Sequence, residues 1–248
     1  MTCQHPVFGT AAPRGPLPLE AVSEPFDPES PWFEPILFQP VADTFEHRIL
    51  AYECVSRGFA ILSDEPARLA QAARLRALSI QSAARQNPHG LYLFNLAPSS
   101  IADPRRDLQA TCDATTDSGM DAGSVVFDIS EPDLARERDH SRRILEYLRG
   151  NGFGFALSGA GLAPATDSIE TIAEFKPAYI KVDGRLIRDI DRPASAATVS
   201  KLARIAERSG AHLIAEGVDR VKMLENLWLL GVQFMQGHLF GEPSSRIA

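Results

Sequence analysis

The chain has 248 residues, of which 44% are hydrophobic, and its 25 basic and 32 acidic side chains leave a formal net charge of −7. This length and hydrophobic content suffice for a sizeable core in one or two domains, and single α/β barrels commonly have this size. The acidic balance argues against a protein that binds the backbone of DNA or RNA, which normally presents a basic face. A small anionic ligand held by a few local cations stays compatible with it.

The three cysteines (Cys3, Cys54 and Cys112) are widely spaced and form no Cys-X-X-Cys pair. We therefore expect neither a disulfide framework nor a structural zinc site, and a reducing cytoplasm fits best. No apolar run is long enough to span a bilayer, and no signal peptide with a basic start and an apolar core is recognisable. The sequence predicts a cytoplasmic protein without a membrane span.

Residues 1–30 are rich in proline, glycine and acidic residues and show no sustained apolar period, which predicts an irregular arm before a folded domain at 31–248. Apolar patterns at 33–41 and 48–55, with a turn at 43–47, predict a hairpin of two strands. Helical and strand patterns then alternate. The predicted helices are 66–86, 99–115, 132–150, 168–175, 194–209 and 220–230, and the predicted strands are 90–96, 124–129, 152–157, 179–182, 212–215 and 234–240.

Strands separated by helices indicate βα units and a parallel sheet, and six or seven units in one chain favour a closed barrel. In such a barrel, polar residues at the C-terminal ends of the strands gather at one mouth. The predicted strand ends carry these polar residues: Glu53, Asn95, Asp128, Ser158, Lys181, Asp183, Glu216 and Gln236.

Lys181 and Asp183 lie two residues apart on a predicted strand, so the pattern places them on the same face. Taken alone, they are equally well explained as a structural ion pair or as part of a functional site. Taken with the other strand ends, they indicate one acidic site with a single lysine. Oxygen ligands of this kind suit a hard divalent cation, and the lysine suits a phosphate or a metal-activated water.

Seven segments, in order along the chain, resemble the motifs of one family. They are Phe38-Gln39-Pro40-Val41, Tyr52-Glu53-Cys54-Val55-Ser56-Arg57, Phe94-Asn95-Leu96, Phe127-Asp128-Ile129-Ser130-Glu131, Tyr179-Ile180-Lys181-Val182-Asp183, Ala215-Glu216-Gly217-Val218-Asp219, and Gln236-Gly237-His238-Leu239-Phe240-Gly241-Glu242-Pro243. From about Phe33 to Pro243 the chain resembles the EAL domain, the family of cyclic di-GMP phosphodiesterases and their inactive relatives. The resemblance implies an α/β fold, a TIM-like (β/α)8 barrel with an initial antiparallel strand, and a role in bacterial second-messenger signalling.

Active members of the family use two divalent ions to activate a water that cleaves cyclic di-GMP to linear pGpG. The resemblance implies that Glu53, Asn95 and Asp128 would be the metal ligands, whereas Lys181 and Glu216 would be the catalytic pair that orients or deprotonates the water. It also implies a nucleotide-binding surface formed by Gln39, Glu53, Val55, Arg57, Asp183, Asp219 and Gln236.

The sequence departs from the family where two consecutive aspartates would follow Ala156-Leu157, because Ser158 and Gly159 stand there instead. A serine hydroxyl is a poor metal ligand and glycine has no side chain, so the site loses about two negative charges that would offset the dehydration of the ions. The departure predicts a degenerate, catalytically inactive member that needs no cofactor. Mg²⁺ or Mn²⁺ would be required if the protein is active.

Three alternatives remain open at the level of sequence. An inactive member would be a cyclic di-GMP receptor or a protein-interaction module with a protein partner. A residual phosphodiesterase would use one metal ion on Glu53, Asn95 and Asp128. A homodimer is compatible with each of them, and no DNA or RNA partner is expected.

Overall fold

The computed structural model describes residues 36–56, 65–162 and 165–247. The predicted arm at 1–30 and the predicted ligand residue Arg57 lie outside these residues, so both stay predictions. Within the described residues, strands and helices alternate as the sequence indicates. None of the described helices combines the length and apolarity needed to cross a bilayer.

The strands are β1 (Ile36–Asp43), β2 (Arg48–Ser56), β3 (Tyr92–Asn95), β4 (Val125–Ser130), β5 (Gly154–Ala160), β6 (Tyr179–Val182), β7 (His212–Ala215) and β8 (Phe234–Gln236). The helices are α1 (Glu65–Gln86), α2 (Pro104–Asp107), α3 (Gln109–Asp117), α4 (Glu131–Arg136), α5 (Arg138–Gly150), α6 (Ala165–Phe175), α7 (Gly184–Arg188), α8 (Pro193–Ser209) and α9 (Val221–Leu229).

The eight strands close into a barrel in chain order. β1 runs antiparallel to both of its neighbours, pairing Gln39 with Glu53 of β2 and Val41 with Gln236 of β8. Every other neighbouring pair is parallel. The predicted TIM-like (β/α)8 barrel with an initial antiparallel strand is therefore confirmed.

Two of the predicted helices are each broken into shorter ones. The single helix predicted at 99–115 is wrong, because the Asp103 side chain accepts a hydrogen bond from the Arg106 amide at 2.9 Å and so starts a new helix, α2, at Pro104. The helix predicted at 132–150 is interrupted at Glu137, whose φ of −140° and ψ of 69° are not helical.

The final strand is shorter than predicted and ends at Gln236. A Cβ atom on the next residue, Gly237, would lie 2.3 Å from the carbonyl oxygen of Val218, so the chain can turn closely against that backbone only because glycine has no side chain. Helix α7, directly after β6, was not predicted from the sequence.

The barrel interior is filled by an apolar layer that alternate residues of the strands supply. It consists of Val41, Ala51, Leu93, Val126, Ala156, Ile214 and Phe234. The intervening residues, such as Phe38, Tyr92 and Phe127, belong to the larger core between barrel and helices. Because side chains alternate along a strand, the positions two residues further towards the barrel mouth also face inward, and those positions carry the polar residues.

Candidate functional site

A ring of polar side chains lies directly above the apolar layer. Each polar residue is two positions from an apolar residue of the same strand, and all but Glu216, which directly follows β7, lie within the strand. The pairs are Gln39 and Val41, Glu53 and Ala51, Asn95 and Leu93, Asp128 and Val126, Ser158 and Ala156, Glu216 and Ile214, and Gln236 and Phe234. Lys181 is likewise two positions from Tyr179, which packs against that apolar layer. The strand period thus carries the sequence-predicted residues to one place, which we call the mouth cluster.

Lys181 is the centre of the mouth cluster. Its ammonium nitrogen lies 2.7 Å from Asp128 Oδ2, 2.8 Å from Glu216 Oε1 and 3.1 Å from Glu53 Oε2. The lysine side chain is 1% exposed and so is the Asp128 side chain, whereas Glu216 is 26% exposed. One buried cation is therefore shared by three carboxylates from three other strands or strand ends.

Amide side chains fix the Glu53 carboxylate in place. Gln236 donates from Nε2 to Glu53 Oε2 at 2.6 Å and to Gln39 Oε1 at 3.1 Å, and Asn95 donates to Glu53 Oε1 at 3.4 Å. Gln39 in turn donates to the carbonyl oxygen of Gly241 at 3.4 Å. These bonds connect β1, β2, β3 and β8 across the mouth.

The pKa values in the cluster reflect an excess of carboxylates over cations. Burial opposes the charge of Lys181, but the charges of Asp128, Glu53 and Glu216 outweigh it and raise the lysine pKa well above its usual value. Burial raises the pKa of Asp128 and of Glu216 more than Lys181 lowers it. For Glu53, burial is outweighed by Lys181 and by the hydrogen bonds from Gln236 and Asn95, so its pKa is lowered. Burial therefore prevails at Asp128 and Glu216 but not at Glu53.

Ser158 and Gly159 lie inside strand β5, whereas the sequence predicted that this strand ends at Leu157. Ser158 is in register with Ser130 of β4, and its side chain helps to lower the pKa of Asp128. The pairing of β5 with β6 shifts register between Leu157 and Ala160, and Gly159 has a φ of +76°. Neither residue brings a carboxylate to the mouth.

Asp183 and Asp219 bind groups other than Lys181. Asp183 follows the end of β6 and caps helix α7, with its Oδ1 accepting from the Arg185 amide at 2.8 Å and from Arg185 Nε at 3.0 Å. The interpretation of Lys181 and Asp183 as an ion pair on one strand face is therefore wrong, because the strand ends before Asp183. Asp219 accepts a hydrogen bond from the His238 amide at 3.0 Å. Val55 is half-buried on β2, two residues beyond Glu53.

The two-ion centre that the resemblance implies does not fit the side chains at the mouth. The β5 end supplies no carboxylate, and Lys181 already holds one oxygen of each of the three acids. No group of three or more His, Cys, Asp or Glu side chains among residues 36–56, 65–162 and 165–247 has a geometry that could hold a metal ion. Asp128 Oδ1 is buried without a hydrogen-bonding partner in this part of the chain, so one oxygen of the mouth cluster is not bound by another side chain there.

Two buried polar residues near the mouth were not singled out from the sequence. Glu131 accepts a hydrogen bond from the Ser168 hydroxyl at 2.9 Å, which links α4 to α6. Arg76 is 6% exposed and lies on the face of α1 that also carries Ile80 and Ala83. The helical spacing of 76, 80 and 83 is a signal by which this buried arginine could have been found.

The fold and the mouth define a TIM-like barrel whose polar residues gather at the C-terminal ends of the strands. The chain matches the model of the EAL domain over residues 32–243 and therefore belongs to the EAL domain family. That match covers all seven segments on which the resemblance was based.

Among curated proteins, the chain is 31% identical over 154 residues to the cyclic di-GMP phosphodiesterase RocR of Pseudomonas aeruginosa, covering 60% of this chain and 38% of RocR. It is 29% identical over 122 residues to the cyclic di-GMP phosphodiesterase PdeB of Shewanella oneidensis, covering 48% of this chain and 14% of PdeB. The chain thus matches well under half of the length of either relative.

Solved structures share the fold. The calcium and cyclic di-GMP complex of Klebsiella pneumoniae BlrP1 superposes with a TM-score of 0.77 at 24% identity, over 86% of this chain and 56% of BlrP1. A standalone EAL protein of Vibrio cholerae in its cyclic di-GMP-bound form gives a TM-score of 0.77 at 23% identity, over 88% of this chain and 95% of that one.

Proposed function

We propose that this EAL-family domain is a catalytically inactive cyclic di-GMP receptor. The observation that carries the proposal is the Lys181 ammonium, which lies within 3.1 Å of Glu53, Asp128 and Glu216. The protein's own cation thus compensates part of the negative charge of the carboxylates that the resemblance assigns to metal and water. The mouth can thus be folded and ordered without a divalent ion.

We expect no catalysis because the mouth offers too few metal ligands. Two divalent ions a few ångströms apart need several carboxylates to offset their dehydration and to clamp the attacking and leaving oxygens. Ser158 and Gly159 supply none, and losing such ligands costs orders of magnitude in rate. We therefore expect no turnover of cyclic di-GMP to pGpG.

A ligand-facing surface is retained at the mouth. Gln39 and Gln236 are held in one hydrogen-bonded row with Glu53, and Val55 lies two residues beyond Glu53 on β2. An unscreened acidic mouth would repel a dianionic nucleotide. Lys181, which pairs with Glu53, Asp128 and Glu216, reduces that repulsion. The kinship with RocR supports cyclic di-GMP as the ligand.

Calorimetry with cyclic di-GMP tests the proposal, in one series with EDTA and in another with Mg²⁺. A receptor gives the same heat of binding in both series, and chromatography finds no pGpG after prolonged incubation. No heat in either series contradicts the receptor and favours a module that binds a protein partner or a second copy of the chain. A variant Gln39→Ala should weaken binding, whereas the exposed control Lys222→Ala should not.

A phosphodiesterase with a single metal ion is the second candidate, and one observation favours it. Asp128 Oδ1 is buried and has no hydrogen-bonding partner among the described residues, and Asn95, which is in register with Asp128 on the neighbouring strand, donates to Glu53. These three residues would hold a Mg²⁺ or Mn²⁺ ion, which would supply an activated water. Mg²⁺-dependent binding followed by pGpG would establish this activity and overturn the receptor without catalysis.

A further inference from the structure

A cleft of about 350 Å³ lies beside the mouth cluster and extends from it towards helix α1. On the mouth side it is lined by Asn95, Asp128 and Ser158, and on the α1 side by Arg76 and Ser79. Its volume is in the range of sites that hold small molecules. The residues that the resemblance assigns to cyclic di-GMP on β1 and β8 do not line it.

The charges that line the cleft are unevenly compensated. Asp128 is paired with Lys181 at 2.7 Å. Asp133 accepts a hydrogen bond from the Ser130 hydroxyl at 2.7 Å and is paired with Arg136 at 3.3 Å. Arg76, the third charged residue of the lining, has no carboxylate oxygen within 4 Å among the residues that the structure describes. Arg76 is therefore the charged residue of this lining that has no oppositely charged partner among the described residues.

Asp107, whose charge acts on Arg76, is already committed to other groups. Both oxygens of the Asp107 carboxylate are used, one by Arg106 Nε at 2.7 Å and the other by the amides of Ala102 and Asp103 at 2.7 and 2.9 Å. Arg76 reaches only the Asp107 backbone carbonyl, to which it donates at 3.0 Å. The acid that could have neutralised Arg76 therefore holds the start of α2 instead.

Arg76 itself is 6% exposed, and its remaining hydrogen bonds are weak or missing. One guanidinium nitrogen donates to the Ser100 hydroxyl at 3.3 Å, and the buried Nε has no partner in the described part of the chain. Burial lowers the pKa of Arg76 to about 10, and the charge of Asp107 offsets this only in part. A buried guanidinium without a counter-charge is costly to a fold, and such groups are normally paired.

The rest of the lining suits an oxyanion as well. Four hydroxyl groups, those of Ser79, Ser100, Ser130 and Ser158, line the same cleft. The Ser100 hydroxyl already donates to the Ala97 carbonyl and the Ser130 hydroxyl to Asp133, each at 2.7 Å, so Ser79 and Ser158 are the hydroxyls left to donate to a phosphate oxygen. Arginine binds phosphate with two parallel donors. The Arg76 donors are now bonded to a hydroxyl and a carbonyl, which are weaker acceptors than an oxyanion.

We propose that this cleft is a second ligand site, which binds a phosphate group through Arg76 and the hydroxyls of Ser79 and Ser158. The site is separate from the nucleotide surface of the proposed receptor, and its occupancy requires neither cyclic di-GMP nor catalysis. The phosphate group can come from inorganic phosphate or from a nucleotide monophosphate, because both present the same oxygens to Arg76.

The test measures the thermal unfolding of the full chain with inorganic phosphate and with chloride at the same ionic strength. Phosphate should raise the Tm of the wild type in a saturable way, since a ligand that binds the native state stabilises it by mass action. Arg76→Met keeps the side-chain length and removes the charge, and it should lower the phosphate affinity at least tenfold. Arg85→Met, at an exposed arginine in the last turn of the same helix, should retain the wild-type shift.

Further titrations separate the two phosphate sources and the two sites. Tighter binding of 5′-GMP than of inorganic phosphate assigns the site to a nucleotide monophosphate, and equal binding assigns it to the free anion. Cyclic di-GMP should still bind to Arg76→Met, so the proposed receptor function and the proposed phosphate site are tested independently. A wild type without a phosphate-specific shift, or an Arg76→Met variant that keeps it, overturns the proposal. If Arg76→Met does not fold, Arg76→Lys takes its place, and it should show weakened phosphate binding because lysine lacks the bidentate geometry.

Discussion

The two ends of the barrel both bury polar side chains, but they satisfy them in opposite ways. At the end away from the mouth, which we call the floor, Asp43, Thr44, Gln233 and Trp228 form a small network. Asp43 Oδ1 accepts from the amides of Phe45 and Glu46 at 3.2 and 3.1 Å and from Gln233 Nε2 at 2.8 Å. The floor therefore contains one buried carboxylate surrounded by donors.

The mouth cluster has the reverse balance, with three carboxylates around one ammonium group. Burial is outweighed at Asp43, whose pKa is lowered by Gln233, by the two amides and by Arg48. Burial prevails at Asp128 and Glu216, whose pKa values are raised. The floor thus stabilises its charge, whereas the mouth keeps charges that the fold alone does not need. An excess of this kind is expected at a functional site rather than in a structural network.

The largest effect should come from removing the cation of the mouth. Lys181→Met leaves Glu53, Asp128 and Glu216 buried without a counter-charge, and we expect a loss of about 3–5 kcal/mol in the free energy of unfolding. The loss should shrink as the pH is lowered, because the three carboxylates then become neutral. Denaturant unfolding at several pH values measures both effects.

Lys222→Met is the matched control, because Lys222 is 67% exposed and its pair with Glu225 lies on the surface. It should change stability by less than about 0.5 kcal/mol. A Lys181→Met variant as stable as this control would show that the mouth cluster is not held by its lysine.

At the floor, Asp43→Asn should lower the free energy of unfolding by about 2 kcal/mol, since hydrogen bonds to a charged group are replaced by bonds to a neutral amide. The pKa of Asp43 is lowered on folding, so its contribution is present above the unfolded pKa of about 3.9 and is lost as the pH falls through the lower folded value. The difference between wild type and variant should therefore be constant near neutral pH and shrink below about pH 4. A difference that grows in acid would contradict this assignment.

Adding charge to the mouth should sharpen the contrast between the two ends. Ser158→Asp places a fourth carboxylate beside Asp128. In EDTA this variant should have a free energy of unfolding about 1–3 kcal/mol lower than that of the wild type. Mg²⁺ should raise the Tm of this variant more than that of the wild type, because an added carboxylate strengthens a cation site. Ser158→Asn has the same shape without the charge and should show no Mg²⁺ response. If Mg²⁺ raises the Tm of both variants equally, residue 158 is not part of a metal site.

The smallest effect concerns the outer part of the floor. Trp228 donates from Nε1 to Thr44 Oγ1 at 2.9 Å, and Thr44 donates to the Gln233 carbonyl at 2.7 Å. Trp228→Phe removes one of these bonds and should cost about 1 kcal/mol in thermal or denaturant unfolding. Leu229→Ala, at a residue that is 85% exposed, should stay within about 0.5 kcal/mol. A Trp228→Phe variant within that smaller limit would mean that the hydrogen bond adds nothing to the floor.

Much of the fold could be predicted because it follows local patterns. Strand β6 at 179–182 and strand β7 at 212–215 have the predicted bounds, and the hairpin of β1 and β2 was anticipated from its turn. The breaks at Asp103 and Glu137 were missed, because a helix-period pattern continues across both while capping and backbone geometry interrupt it. Strand β5 continues to Ala160 because a register shift accommodates Gly159. The glycine-rich sequence after Leu157 does not predict this continuation.

By itself, the sequence determined the ring of polar residues and its family. A strand points every second residue to one side, so a polar residue two positions after an apolar one must face the same interior, as Glu53, Asn95, Asp128 and Glu216 do. The sequence also determined which acids are absent, since Ser158 and Gly159 can be read directly from it.

Only the tertiary structure decided which charges meet. Lys181 contacts residues 53, 128 and 216, which barrel closure brings together from distant parts of the chain, while its sequence neighbour Asp183 turns away to cap a helix. In the same way, Arg76 has no carboxylate partner among the described residues, because Asp107 is used by Arg106 and by the amides of Ala102 and Asp103. Backbone periodicity is a local property, whereas the pairing of buried charges depends on where closure of the barrel places each side chain.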